Sequence, residues 1–121
     1  MSAFEELGDL RPLPVWEGIL ARAVVGEEMT MAIMELSPNA VAAEHRHPNE
    51  QLGIVLQGTL TMRIADETRE IGPGMTYRIL ADVPHMATAG PDGCVVMDIF
   101  APPRGDWGAL EPQEPSPPIW P

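Results

Sequence analysis

The side chains able to do chemistry are few, and three histidines dominate them. His45 and His47 lie two residues apart in a segment, 40–47, whose pattern predicts a strand ended by Pro48. On a strand both rings leave the same face, about 7 Å apart at the backbone. Two imidazoles so placed can converge on one metal ion. His85 opens a later predicted strand, after Val83-Pro84, and a sheet curled into a barrel can bring it opposite the pair. Three imidazoles suit zinc, iron, manganese, nickel, copper or cobalt. Each must be neutral to bind, so affinity is expected to fall as pH drops through about 6. The spacing alone is equally met by a pair of satisfied strand histidines.

What is missing narrows the chemistry further. The chain has no lysine, which excludes Schiff-base aldolases, pyridoxal-phosphate enzymes and Walker-type phosphate loops. Its serines are Ser2, Ser37 and Ser116, none in a nucleophile elbow. The single cysteine, Cys94, leaves no intramolecular disulfide and no multi-cysteine cluster, and its apolar setting reads as a small buried hydrophobe. The net charge of -11 repels phosphate backbones and anionic lipids, so neither nucleic acid nor membrane is an expected partner. The first residues lack a basic region followed by an apolar run, and no apolar stretch reaches spanning length. A soluble, cytoplasmic protein is expected.

The elements that must position these residues are short strands. A chain of 121 residues suits one domain. Proline (14) and glycine (11) together argue for many tight turns and against a helical bundle. Alternating apolar runs predict strands over 18–25, 29–36, 40–47, 51–56, 60–64, 68–71, 75–80, 85–89 and 94–100. Gln57-Gly58 reads as a hairpin turn, and Gly90-Pro91-Asp92-Gly93 as another turn. Such spacing is that of an all-β sandwich or barrel. The barrel domain is expected over 1–104. Residues 105–121 form a proline-rich C-terminal arm, lying on the surface, reaching a neighbouring subunit, or disordered, with Trp107 and Trp120 as its anchors.

From Asn39 to Gly58 the sequence resembles the first motif of the cupin superfamily, a glycine, five residues, His-x-His, a glutamate and a closing glycine. Asn39 stands for the first glycine, Gln51 for the glutamate, and Gly58 matches the last. The second motif is recognisable from Gly74 to His85, with Leu80 in place of a proline, Asp82 of a glycine and Ala89 of an asparagine. The resemblance implies a single-domain jelly-roll barrel (the double-stranded β-helix) and one divalent transition metal ion on His45, His47, Gln51 and His85. A neutral amide oxygen would leave such an ion its full charge, favouring an anionic substrate. Gln51 could instead only orient a water or a histidine. Glu50 could compete, but its side chain should face away.

The segment 95–107 resembles the end of a small cupin subfamily that includes pectin-degradation proteins opening the rings of 4,5-unsaturated monouronates. The match to its Asp-x-Phe-x-Pro-Pro-Arg string implies active-site roles for Asp98, Phe100 and Arg104. Asp98 would move a proton, Arg104 hold a substrate carboxylate, and Phe100 form a wall. Asp98 could also be a structural ion pair with Arg104 or Arg78. Three functions follow: a metal-dependent lyase or isomerase of a small anion, a metal-dependent oxygenase, or a non-catalytic module binding a ligand or metal. The resemblance further implies a homodimer.

Overall fold

The computed structural model describes residues 2–121. It contains eight strands, β1 (Leu13–Trp16), β2 (Ile19–Val25), β3 (Thr30–Leu36), β4 (Val41–His45), β5 (Glu50–Ile64), β6 (Glu67–Ile71), β7 (Thr76–Ile79) and β8 (His85–Ala101). All pairings are antiparallel. The main path runs β1-β2-β3-β8-β5-β6, with β4 also on β8 and β7 also on β5.

The two long strands make the barrel. The first half of β5 pairs with the second half of β8, from Glu50↔Ala101 to Val55↔Val96. The other halves pair from Leu60↔Ala89 to Ile64↔His85, after two register shifts. One pair of halves is flanked by β3 and β7, the other by β4 and β6. Both strands therefore pass from one layer to the other, which is how a sheet turns a corner over its own core.

This corrects two expected turns. Gln57-Gly58 and the stretch 90–93 are bends inside continuous strands, not loops between separate ones. Gly58 and Gly93 have φ of 77° and 80°. Glycine reaches this region at no steric cost, so each strand kinks without leaving the ladder. A further strand, β1, escaped the periodic reading because Pro14 interrupts it. Proline is tolerated there because β1 lies at the sheet edge.

Inward positions carry the core: Ile19, Ala21, Val55, Leu60, Ile79 and Phe100 are each at most 2% exposed. Cys94 is buried with them, as its apolar setting suggested. Beyond β8 a single 3-10 turn, Gly105–Ala109, buries Trp107. The following segment returns over the chain's own β2 and β3. The Gln113 N–H donates to Pro12 O at 2.8 Å, and Arg22 donates to Ser116 O at 2.7 Å. Arg22 also pairs with Glu35 at 3.2 Å, both buried, and Glu35 accepts the Ile119 N–H at 2.9 Å. Among the described residues no helix is long and apolar enough to cross a membrane.

Candidate metal centre and active site

The three histidines meet at one end of the barrel. His45 closes β4 and pairs in register with His85, the first residue of β8. His47 lies past the end of β4, so the expected strand stops two residues early and His47 is placed by loop contacts instead. Its carbonyl accepts the Asp82 N–H at 2.8 Å. Its loop is tied to the end of β8 by the buried Asn49 side chain, which donates to Pro102 O and Pro103 O. Sequence patterning gave no reason to single out Asn49.

The rings are mutually close, with centroids 4.2 Å apart for His45 and His85 and 4.9 Å for His47 and His85. One ligating atom from each lies within 4.8 Å of the others. In every case Nδ1 faces a backbone carbonyl: Ala43 O at 2.7 Å, Asn49 O at 2.9 Å and Val83 O at 2.8 Å. A carbonyl only accepts, so Nδ1 carries the proton and each neutral ring keeps its lone pair on Nε2. Burial lowers the His47 pKa and pushes His85 down to about 4, which favours the neutral rings. Proton competition for these two is thereby moved below the value expected of free imidazoles.

Gln51, at the start of β5, is buried and faces the same cavity, while Glu50 is exposed on the opposite side. Gln51 Oε1 stands 3.1 Å from His47 Nε2. With the proton on Nδ1, this places two acceptors face to face. His85 Nε2 is the one buried side-chain polar atom without a hydrogen-bond partner among the described residues. Converging lone pairs and an orphaned imidazole nitrogen are what a divalent transition metal ion would satisfy. The donor set fits such an ion.

Asp98, inward on β8, is 4% exposed. Burial raises its pKa to about 6, against the hydrogen bond it accepts from the Tyr77 hydroxyl and the lowering effect of the neighbouring Gln51 amide. It makes no ion pair among the described residues. Arg104 instead grips Asp106, from Nε at 2.9 Å and from Nη2 at 2.8 Å. Its guanidinium lies 4.7 Å from the Phe100 ring centre and 4.6 Å from that of Trp107, a double cation–π contact. His45, His47, His85, Gln51, Asp98, Phe100 and Arg104 all line one cavity of about 330 Å³. Trp16 joins its rim, 5.1 Å from the His45 ring. Neither Tyr77 nor Trp16 stood out in the sequence, because each is marked only by what the folded strands bring beside it.

Comparison with known proteins agrees with this architecture. A profile of the cupin domain matches residues 32–100. The pectin degradation protein KdgF of Dickeya dadantii (strain 3937) is 26% identical over 108 residues, covering 88% of this chain and 91% of that protein. The structure of KdgF from Halomonas sp. superposes with a TM-score of 0.79 at 24% identity, covering 88% of this chain and 98% of that one. An RmlC-like cupin from Shewanella frigidimarina NCIMB 400 reaches 0.81 at 18% identity, with 88% and 96% covered. With its jelly-roll topology and the profile match across more than half its length, the chain belongs to the cupin family.

Proposed function

We propose that this cupin is a metal-dependent lyase or isomerase that opens or tautomerises a small carboxylated metabolite of the 4,5-unsaturated uronate class. The observation that carries the reading is the meeting, in one cavity, of three converging imidazoles, an amide oxygen, a buried carboxylate and a stacked guanidinium. One relative is named for pectin degradation, and pectin is a polymer of uronates.

His45, His47, His85 and Gln51 would hold the ion, which when bound supplies Lewis-acid polarisation of a substrate oxygen. Arg104 binds the substrate carboxylate. Asp106 occupies its Nε and Nη2, leaving Nη1 for a second carboxylate. Phe100 walls the cavity and backs the guanidinium. Asp98 is the carboxylate beside the imidazoles, placed to take a proton from oxygen and return it to carbon.

The reading is tested by following the ultraviolet absorption of a 4,5-unsaturated monouronate with metal-loaded protein. Its loss is expected, and Asp98→Ala should slow it by about 100-fold or more when assayed at saturating metal, so that the loss is not one of metal occupancy. Undiminished absorption overturns the reading. Oxygen uptake without ring opening would make the protein an oxygenase instead.

A homodimer belongs to the same proposal. Register aligns Val24, Met31, Ile99 and Leu52 in one row on the outer face of β2, β3, β8 and β5. Val24, Met31 and Leu52 are 41%, 40% and 43% exposed. In a chain of net charge -11, this uncharged row is where a second copy can approach and cover itself about a twofold axis. Met31→Glu should shift gel-filtration elution to the monomer, and an unchanged elution would remove the role of this face.

A further inference from the structure

Tyr77, Gly53 and Asp98 form one row across three strands. Gly53 of β5 pairs with Tyr77 of β7 on one side and with Asp98 of β8 on the other. A Cβ at Gly53 would overlap both the Tyr77 ring and the Asp98 carboxylate. The space of that missing side chain is the space the tyrosine uses. Its ring lies across β5, and its hydroxyl donates to Asp98 Oδ1. Gln51, two residues before Gly53 on the same inward face, is the diagonal neighbour of Asp98 across β5 and β8, and its amide oxygen is left 3.1 Å from His47 Nε2.

This chain of contacts settles a choice that Gln51 could otherwise make either way. The two ends of a carboxamide are nearly the same size, but one donates and the other accepts. The His47 Nε2 lone pair would by itself attract the NH₂ end, turning the oxygen away from the imidazoles. Asp98, which only accepts when ionised, demands that same NH₂ and so turns the oxygen inward. A carboxylate held by one donor alone can swing about its Cβ–Cγ bond. Tyr77 supplies the second donor.

We propose that Tyr77 is a positioning residue of the metal centre: by pinning Asp98 it keeps the Gln51 oxygen aimed at the three imidazoles, and Gly53 is glycine so that it can cross. The inference rests on the metal site of the preceding reading and not on the reaction. Removing an outer partner of this kind typically costs about 10- to 100-fold in metal affinity.

The test uses the full chain and two readouts that need no substrate. In the metal-free protein, the Gln51 side-chain NH₂ protons should be dispersed from those of Gln57 and Gln113 in an ¹H–¹⁵N spectrum, and Tyr77→Phe should collapse that dispersion. In a cobalt(II) titration followed by visible absorption, Tyr77→Phe should weaken binding about 10-fold or more and shift the cobalt bands. In a Gln51→Ala background the same substitution should change affinity less than about twofold, because the two act in series. Should Tyr77→Phe fail to fold, Asp98→Asn carries the same thresholds. Affinity within about twofold of the parent, or an equal loss in both backgrounds, overturns the proposal. A failed ring-opening assay overturns only the reaction, whereas a parent protein that binds no cobalt overturns both.

Discussion

Gly58 of β5 stands directly opposite Cys94 of β8, at the point where both long strands bend from one layer into the other. The two backbones touch there: a Cβ on Gly58 would overlap the carbonyl oxygen of Gly93 and crowd the Cα of Cys94. Cys94 is in turn paired with Leu36 of β3, so three strands are held together at the corner. The barrel closes because two kinked strands can approach this nearly.

Gly58→Ala is therefore expected to be severe. It adds a left-handed penalty of about 1–2 kcal/mol at φ 77° to overpacking of about 1–3 kcal/mol against backbone that has nowhere to move. Gly108→Ala is the control, since an added Cβ there meets nothing within 4 Å. Urea unfolding should show a loss of about 2–5 kcal/mol for the first and less than about 0.5 kcal/mol for the second. Equal midpoints would show that the corner has slack.

The same corner explains why some features were legible in the sequence and others not. Glycine punctuates turns and strand bends alike, so local pattern could not separate a hairpin at Gln57-Gly58 from a continuous β5. His45, His47, Gln51 and His85 were legible because their motifs are local, and the turns around them survive substitution. Asn39 and Asp82 stand where the family motif has glycine, and both have φ of 62°. Asparagine and aspartate tolerate that conformation better than other side chains, so the loops keep their shape. Tyr77 was not legible. Its partner Asp98 lies on another strand, and the cue is an absent side chain on a third, which only register reveals.

Cys94 should be inert in the folded protein. Burial raises its thiol to about 11, with the Asp98 charge adding to the effect. A thiol-disulfide reagent at pH 8 should label it slowly in buffer and at once in urea. The folded pKa lies above the ordinary value of 9.0, so its contribution to stability is full below pH 9 and is lost as pH rises from there toward 11. Rapid labelling without denaturant would contradict the buried position.

Arg22 and Glu35 form the anchor of the C-terminal segment. Arg22 is 2% exposed and Glu35 6%. Besides its pairing with Glu35, Arg22 donates to Ser116 Oγ at 3.0 Å and to Pro117 O at 3.3 Å. Arg22→Met would leave Glu35 buried without its countercharge, at a cost of about 3–5 kcal/mol. Adding Glu35→Leu should recover much of that stability, since an apolar pair of similar size is tolerated. It should not recover the tail contacts. Limited proteolysis within residues 111–121 is thus expected in both variants, and a tail still protected in the double variant would show that Trp107 and the prolines suffice.

Arg104→Lys distinguishes a planar anchor from a mere positive charge. The guanidinium lies against the faces of both Phe100 and Trp107, which touch each other edge to face, and is fixed edge-on by Asp106, so its remaining Nη1 donor has one orientation. Lysine keeps the charge but has neither the stacking plane nor the fork. Losing one charge-assisted hydrogen bond of about 1.5–3 kcal/mol should raise KM for a uronate roughly 10- to 100-fold. The imidazoles and Gln51 do not touch Arg104 by hydrogen bond, so metal content should be unchanged by elemental analysis. A kcat loss with KM preserved would place Arg104 in the chemical step rather than in binding, and kcat and KM both unchanged would mean that the substrate carboxylate is held elsewhere in the cavity.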